Sequence, residues 1–312
     1  MVPAGCAPAN LSSVRPVTEQ PVFSTDELTQ IVRSIVAEWK VDAGPWDAFA
    51  DGNPSKALNV FTLNAHTHSL AEGVLALRDA GCYIQTVPLI RQAIECAMTA
   101  AWLVLYDHAV LSLTYEGARQ RREVFTKLVA QGVPEAADRR ADAVKVLDEL
   151  ESEGGGAGRS FEQRCMEIEG GAAMYVTYRV ASQYSHGGTS IADIYGVRVP
   201  RSATNTAGFE VTPRPLFDAA DDWFGILATM LVTAGLAWDS LEHHHRHRRS
   251  LRTAARRLSI PIHPMMSGAG FKADQTAKRR RKAEQQAARA AGPGLGRGPS
   301  ATGPDSPRQT TR

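Results

Sequence analysis

The chain has few of the residues that mark the common catalytic and metal-binding families. Its four cysteines (Cys6, Cys82, Cys96 and Cys165) stand at no C-x-x-C or other metal-ligand spacing. Three of them fall within apolar helical patterns, where a buried reduced thiol is the expectation, in keeping with a cytoplasmic setting. Aromatic residues are scarce at 7%, while alanine and leucine are prominent, a balance that disfavours sheets. The motifs G-x-x-x-x-G-K-[ST], G-x-S-x-G and H-E-x-x-H are absent, as is a G-x-G-x-x-G after a strand. Nothing therefore points to a nucleotide loop, a serine hydrolase or a zinc protease, and neither cofactor nor metal is expected. No repeat with a period of about 20–50 residues is visible, which argues against a solenoid. The N-terminus lacks a basic start followed by an apolar run, so no secretory signal is expected. The uncharged run Trp223–Trp238 spans 16 residues between acidic flanks. A membrane-spanning helix needs about 20, so the run reads as a buried bundle helix and no membrane span is expected. A membrane-associated protein using this run and its basic flank is the weakest alternative.

What is present is a strong charge asymmetry beneath a net charge of +2. From His243 onward, 16 Lys and Arg stand against 3 Asp and Glu, leaving 19 against 30 before it. An acidic body followed by a basic tail suits contact of the tail with nucleic acid or with an acidic surface. Helical periodicity runs through most of the body. Ser24 with Glu27 reads as a capping box opening a first helix, and a second runs from Ser55 to Asp79, closed by Gly81. The most apolar segment of the front half follows, with Pro88 marking either a helix start near Val87 or a kink. Two charged amphipathic helices come next, then a glycine-rich hinge at 153–160. A helix interrupted at Gly170-Gly171 stops at Gly187-Gly188, and "FEV" (209–211) reads as a short extended piece. One long helix is expected from Leu216 to Arg257.

The predicted fold is all-α: a single bundle of about six to eight helices over 24–258. Residues 1–23 are expected to be disordered, and 259–312 to form a disordered basic tail. "LEHHHRHRR" (241–249) offers histidines at i, i+3 and i, i+4, yet its interleaved arginines oppose a cation, so it reads as a basic helix extension. Its arginines and those of "LRTAARR" suit a phosphate backbone, without aromatics for base stacking.

The densest polar stretch is "YRVASQYSHGG" (178–188). On a helical wheel Tyr175, Arg179, Ser182 and His186 share one face, with Tyr178 and Ser185 on the adjacent stripe. Arg91 and Glu95, at i, i+4 on an otherwise apolar helix, are the natural partners, because unpaired charges there are costly. Paired with "LIRQAIECAMTAAWL", this stretch resembles an uncharacterised family of bacterial helical proteins related to the HEPN group, over residues of about 55–245. HEPN ribonucleases carry an Arg, four to six residues, then a His at a helix end; Arg179 and His186 are separated by six, while Val180 departs from the polar residue often found after the arginine. The resemblance implies a defence-associated, metal-independent endoribonuclease or RNA-binding homodimer. In it Arg179 would stabilise phosphate charge, His186 would act as general acid or base, and Ser182 or Tyr178 would orient, with Arg91, Glu95 and Tyr178 in binding roles. The alternative is a non-catalytic interaction or scaffold protein in which the same Arg/Glu/Ser/His cluster is a buried seam.

Overall fold

The structure, a computed structural model, describes residues 23–42, 52–152, 158–216 and 220–290. The predicted all-α architecture is present, with eleven α-helices and one two-stranded sheet among these residues, more helices than expected. The excess comes from α8 (Thr189–Tyr195), from a break after Asp239 within one expected helix, and from a helix at 268–290 where disorder is expected. Residues 1–22, most of the predicted N-terminal disordered segment, lie outside the described residues, as do 153–157 of the glycine-rich hinge and 291–312.

Helix α1 (Thr25–Asp42) begins at the expected capping box. The Glu27 backbone N–H donates to Ser24 Oγ at 3.3 Å, and Ser24 N–H donates to Glu27 Oε2 at 2.9 Å. Its inner face buries Leu28, Ile31, Val32, Ile35 and Val36. Helix α2 (Pro54–Asp79) is capped by Asn53, whose side chain accepts from Lys56 N–H at 3.0 Å. A 3₁₀ turn (Ile84–Thr86) then leads into α3 (Val87–Leu105). Pro88 sits in the first helical turn, where its missing N–H costs nothing, so it starts the helix and does not kink it.

Helices α3 and α9 (Ala220–Asp239) are the central pair. Helix α3 packs against α2, α6 (Phe161–Met166), α7 (Gly171–Ser185) and α9, and α9 packs in addition against α1, α2 and α10 (Arg248–Arg257). Together they contribute Ile90, Ile94, Trp102, Leu103, Phe224, Leu227, Met230 and Leu231 to the core, all nearly sealed. Residues 84–105 are long and apolar enough to cross a membrane, but two thirds of that stretch, 67%, is buried within the protein. The 16-residue run of α9 is a core helix, as expected. Helices α4 (Ala109–Ala130) and α5 (Ala136–Ser152) pack mainly on each other as an antiparallel hairpin turned at Gly132, whose φ of +84° favours glycine.

The expected single helix 216–257 is two. Helix α9 ends at Asp239 and α10 runs from Arg248 to Arg257. Asp239 and Glu242 are buried at the break, and burial without partners would be costly. Arg248 Nε donates to Asp239 Oδ2 at 2.9 Å, His245 Nδ1 bonds the Asp239 carbonyl at 2.6 Å, and Arg246 Nε lies 3.5 Å from Glu242 Oε1. The "HHHRHRR" stretch is thus a turn folded back onto two carboxylates, not a helix extension, with His245 in the left-handed region at φ 51°. Gly235 permits the fold-back, since a Cβ there would lie 2.6 Å from Leu251 Cδ2.

The tail also departs from expectation. Glu169 N–H donates to the Met265 carbonyl at 2.9 Å, and Ser267 bonds the Glu167 and Met166 carbonyls, so 260–271 is pinned against the α6–α7 junction. A Cβ on Gly270 would overlap the Tyr106 hydroxyl and the Glu167 carbonyl. Helix α11 spans Gly268–Ala290, where disorder was expected. The chain divides into two compact units, 1–271 and 272–312.

Candidate functional site

Arg91, Glu95 and Thr99 stand at i, i+4 and i+8 along α3, so one polar line crosses an otherwise apolar helix. Helix α6 (Phe161–Met166) and helix α7 (Gly171–Ser185) cover that line. Helix α6 opens with a complete capping box, Ser160 with Gln163, which fixes its first turn. Gly171 allows the turn into α7, because a Cβ there would overlap the Cys165 carbonyl.

At one end of the line, Arg91 Nε donates to Ser182 Oγ at 2.9 Å, and Nη2 donates to the Tyr178 hydroxyl. The guanidinium also lies over the Tyr178 ring, 4.5 Å from its centroid. Ser182 in turn donates to the Tyr178 carbonyl at 2.8 Å, and Tyr178 reaches Glu95 Oε2 at 3.5 Å. Burial, and the Glu95 carboxylate after it, push the Tyr178 phenol above its ordinary value, so it stays a neutral donor. Four predicted residues, Arg91, Glu95, Tyr178 and Ser182, therefore meet in one half-buried network.

The other two do not join it. Arg179 is exposed, and among the described residues it donates only to the Tyr175 hydroxyl, at 3.3 Å. His186 is exposed and caps α7 with extended backbone, φ −116° and ψ 143°, so it leaves the helical stripe on which the wheel placed it. Its ring has no hydrogen-bond partner among the described residues. Ser182 faces Arg91 and is not brought to His186. Arg179 and His186 remain two turns apart on α7, about 10 Å along the axis, both open to water.

Arg164, Thr99 and Phe161 were not singled out from the sequence. Arg164 lies in a one-and-a-half-turn helix too short for periodicity to mark an inward face. It is 7% exposed, donates from Nη1 to Thr99 Oγ1 at 2.6 Å, and lies 5.6 Å from the Phe161 ring centroid. Burial lowers its basicity, and the Glu95 charge opposes that shift. Next to it opens a pocket of about 390 Å³ between α2, α3, α4 and α6, lined by Asn59, Gln92, Glu95, Thr99, Glu116 and Arg164 among others. Cys96 and Cys165 are free thiols pushed up by burial to about 11 and about 12, and are inert, as expected.

A second concavity, of about 450 Å³, lies between α1 and α10, lined by Gln30, Ser34, Arg246, Arg249, Thr253 and Arg257. Among the described residues no group of three or more His, Cys, Asp or Glu side chains is arranged to hold a metal ion. His66 is exposed and His68 buried, because residues at i, i+2 face different ways on a helix. No protein family, curated protein or solved structure matches the chain.

Proposed function

We propose that the protein is RNA-directed, a HEPN-like helical protein that grips RNA phosphates in the α1–α10 groove and presents Arg179 and His186 from the end of α7. The observation that carries this reading is the groove itself. Arg246, Arg249 and Arg257 line it with Ser34, Thr253, Gln30 and one carboxylate, Glu38. Arg246 lies 3.5 Å from Glu242 and Arg257 3.9 Å from Glu27, so Arg249 is the arginine of the three without an ion pair among the described residues. Guanidinium forks match phosphate oxygens, and neutralising phosphates releases counterions, the main source of sequence-independent affinity. The lining holds no aromatic ring, so the groove reads backbone and does not stack bases. At α7, an open imidazole suits proton transfer at a ribose 2′-hydroxyl, and an open guanidinium suits the charge that builds on the attacked phosphate. Two copies bringing their α7 ends together would complete such a site, as in the group it resembles.

The test is a fluorescence-anisotropy titration of single-stranded RNA, repeated between about 50 and about 200 mM salt. Affinity should fall steeply with salt, and Arg249→Ala with Arg257→Ala should flatten the slope by about one unit per lost contact. Binding insensitive to these substitutions ends the groove assignment. Cleavage of the same RNA should vanish in His186→Ala at unchanged thermal stability; RNA bound but never cut assigns binding without catalysis. A second reading, a non-catalytic scaffold, draws on the Arg91–Tyr178–Ser182 network, whose hydrogen bonds already serve α3–α7 packing. RNA binding that fails at every salt concentration favours it.

A further inference from the structure

The pocket beside Arg164 holds charges that the fold does not use. Arg164 is more than nine-tenths buried, yet Thr99 is its sole hydrogen-bond acceptor among the described residues. Its Nε is sealed without a partner. Its Nη2 makes no hydrogen bond among the described residues, and the residue lines the pocket. No ion pair joins it to Glu95, although both line the same cavity. Glu95 is in the complementary condition: one oxygen receives a long 3.5 Å bond from Tyr178, and the other accepts no hydrogen bond among the described residues. A buried guanidinium that forgoes a carboxylate within its own pocket costs stability, and an occupant supplying the missing partners would offset that cost.

The lining decides the occupant's chemistry. A bare anion would satisfy Arg164 but face Glu95. A bare cation would satisfy Glu95 but face Arg164 and Arg121. Glu116 is paired with Arg119 at 2.9 and 2.7 Å and accepts from the Gln120 amide at 2.9 Å, so Glu95 is the lining carboxylate without an ion pair among the described residues. No aromatic ring lines the pocket to stack a nucleobase, whereas Asn59, Thr62, Gln92 and Thr114 offer hydroxyl and amide groups to a polar body. The volume, about 390 Å³, lies in the usual range of about 300–1,000 Å³ for small-ligand sites.

We propose that this pocket binds a small zwitterion of the α-amino-acid class, its carboxylate against Arg164 and its ammonium against Glu95. The site stands apart from the α1–α10 groove and is independent of the RNA reading. The standard α-amino acids, each titrated singly into the full chain, should yield at least one that binds saturably by calorimetry and raises the melting temperature. Blocking the amine of that amino acid by acetylation, or its carboxylate as the methyl ester, should each weaken binding about tenfold or more. Glu95→Gln and Arg164→Met should do the same in the protein. Glu95→Gln keeps shape and the Tyr178 contact, so it reports on charge even if Arg164→Met fails to fold. The proposal is overturned if no amino acid binds, if binding ignores both substitutions, or if inorganic phosphate binds as tightly as the amino acid.

Discussion

Two polar clusters share the face of α3, and they solve the problem of buried charge in opposite ways. Towards α7, Arg91 is half-buried and engaged on three counts, with the Ser182 hydroxyl, the Tyr178 hydroxyl and the Tyr178 ring. Towards α6, Arg164 is more deeply buried and has a single acceptor, Thr99. The first arrangement stabilises packing, because each donor meets an acceptor that water would otherwise supply. The second costs stability, because a sealed Nε is left without a partner beside a pocket. Satisfied polar groups between helices mark a seam, and unsatisfied ones beside a cavity mark a site.

His68 on α2 sharpens the contrast on the largest scale, because it is a buried ionisable group that escapes the cost by staying neutral. Burial, reinforced by the nearby His247, lowers it from 6.5 to about 4, against the opposing pull of the Asn64 carbonyl and Glu72. The unfolded chain takes up a proton below about 6.5 that the folded chain refuses until about 4. Stability should therefore be complete above that window and fall by about 3 kcal/mol as pH drops through it. Urea melts of wild type and His68→Gln between these pH values would check this, and the variant should lose the slope. Arginine has no such escape, so Arg91 and Arg164 must be compared by substitution. Arg91→Ala should cost about 2 kcal/mol, since it strands the Tyr178 and Ser182 hydroxyls and removes the cation over the ring. Tyr178→Phe, which deletes one hydroxyl, should cost about 1 kcal/mol in the same melts. Arg164→Met should change stability by no more than about 0.5 kcal/mol, or raise it, as replacement of poorly paired buried charges does. A large loss there, on the scale of Arg91→Ala, would make Arg164 part of the seam and remove the contrast.

Most of the helices were legible because their ends carry local chemistry: Ser24 with Glu27, Pro88 at the start of α3, and Gly170-Gly171 before α7. The α3–α7 pairing was legible too, since Arg91 and Glu95 on an apolar stripe demand polar neighbours and Tyr178 and Ser182 were the nearest supply. The failures share a cause. The break after Asp239 depends on carboxylates meeting Arg246 and Arg248 across a turn, which no helical period announces. Order beyond Pro261 depends on carbonyls of Met166 and Glu167 that belong to a distant segment. His186 was placed on a stripe by continuing the helix one residue past its end, and its extended backbone takes it off.

The residues alone determined that the chain is helical, which faces turn inward and which charges need partners, because these follow from periodicity and from the cost of desolvation along a single element. Only the tertiary structure decided which arginine would be satisfied. Arg91 and Arg164 differ because α7 delivers two hydroxyls to the first while α6 carries the second to the rim of a pocket, with Thr99 as its one acceptor among the described residues.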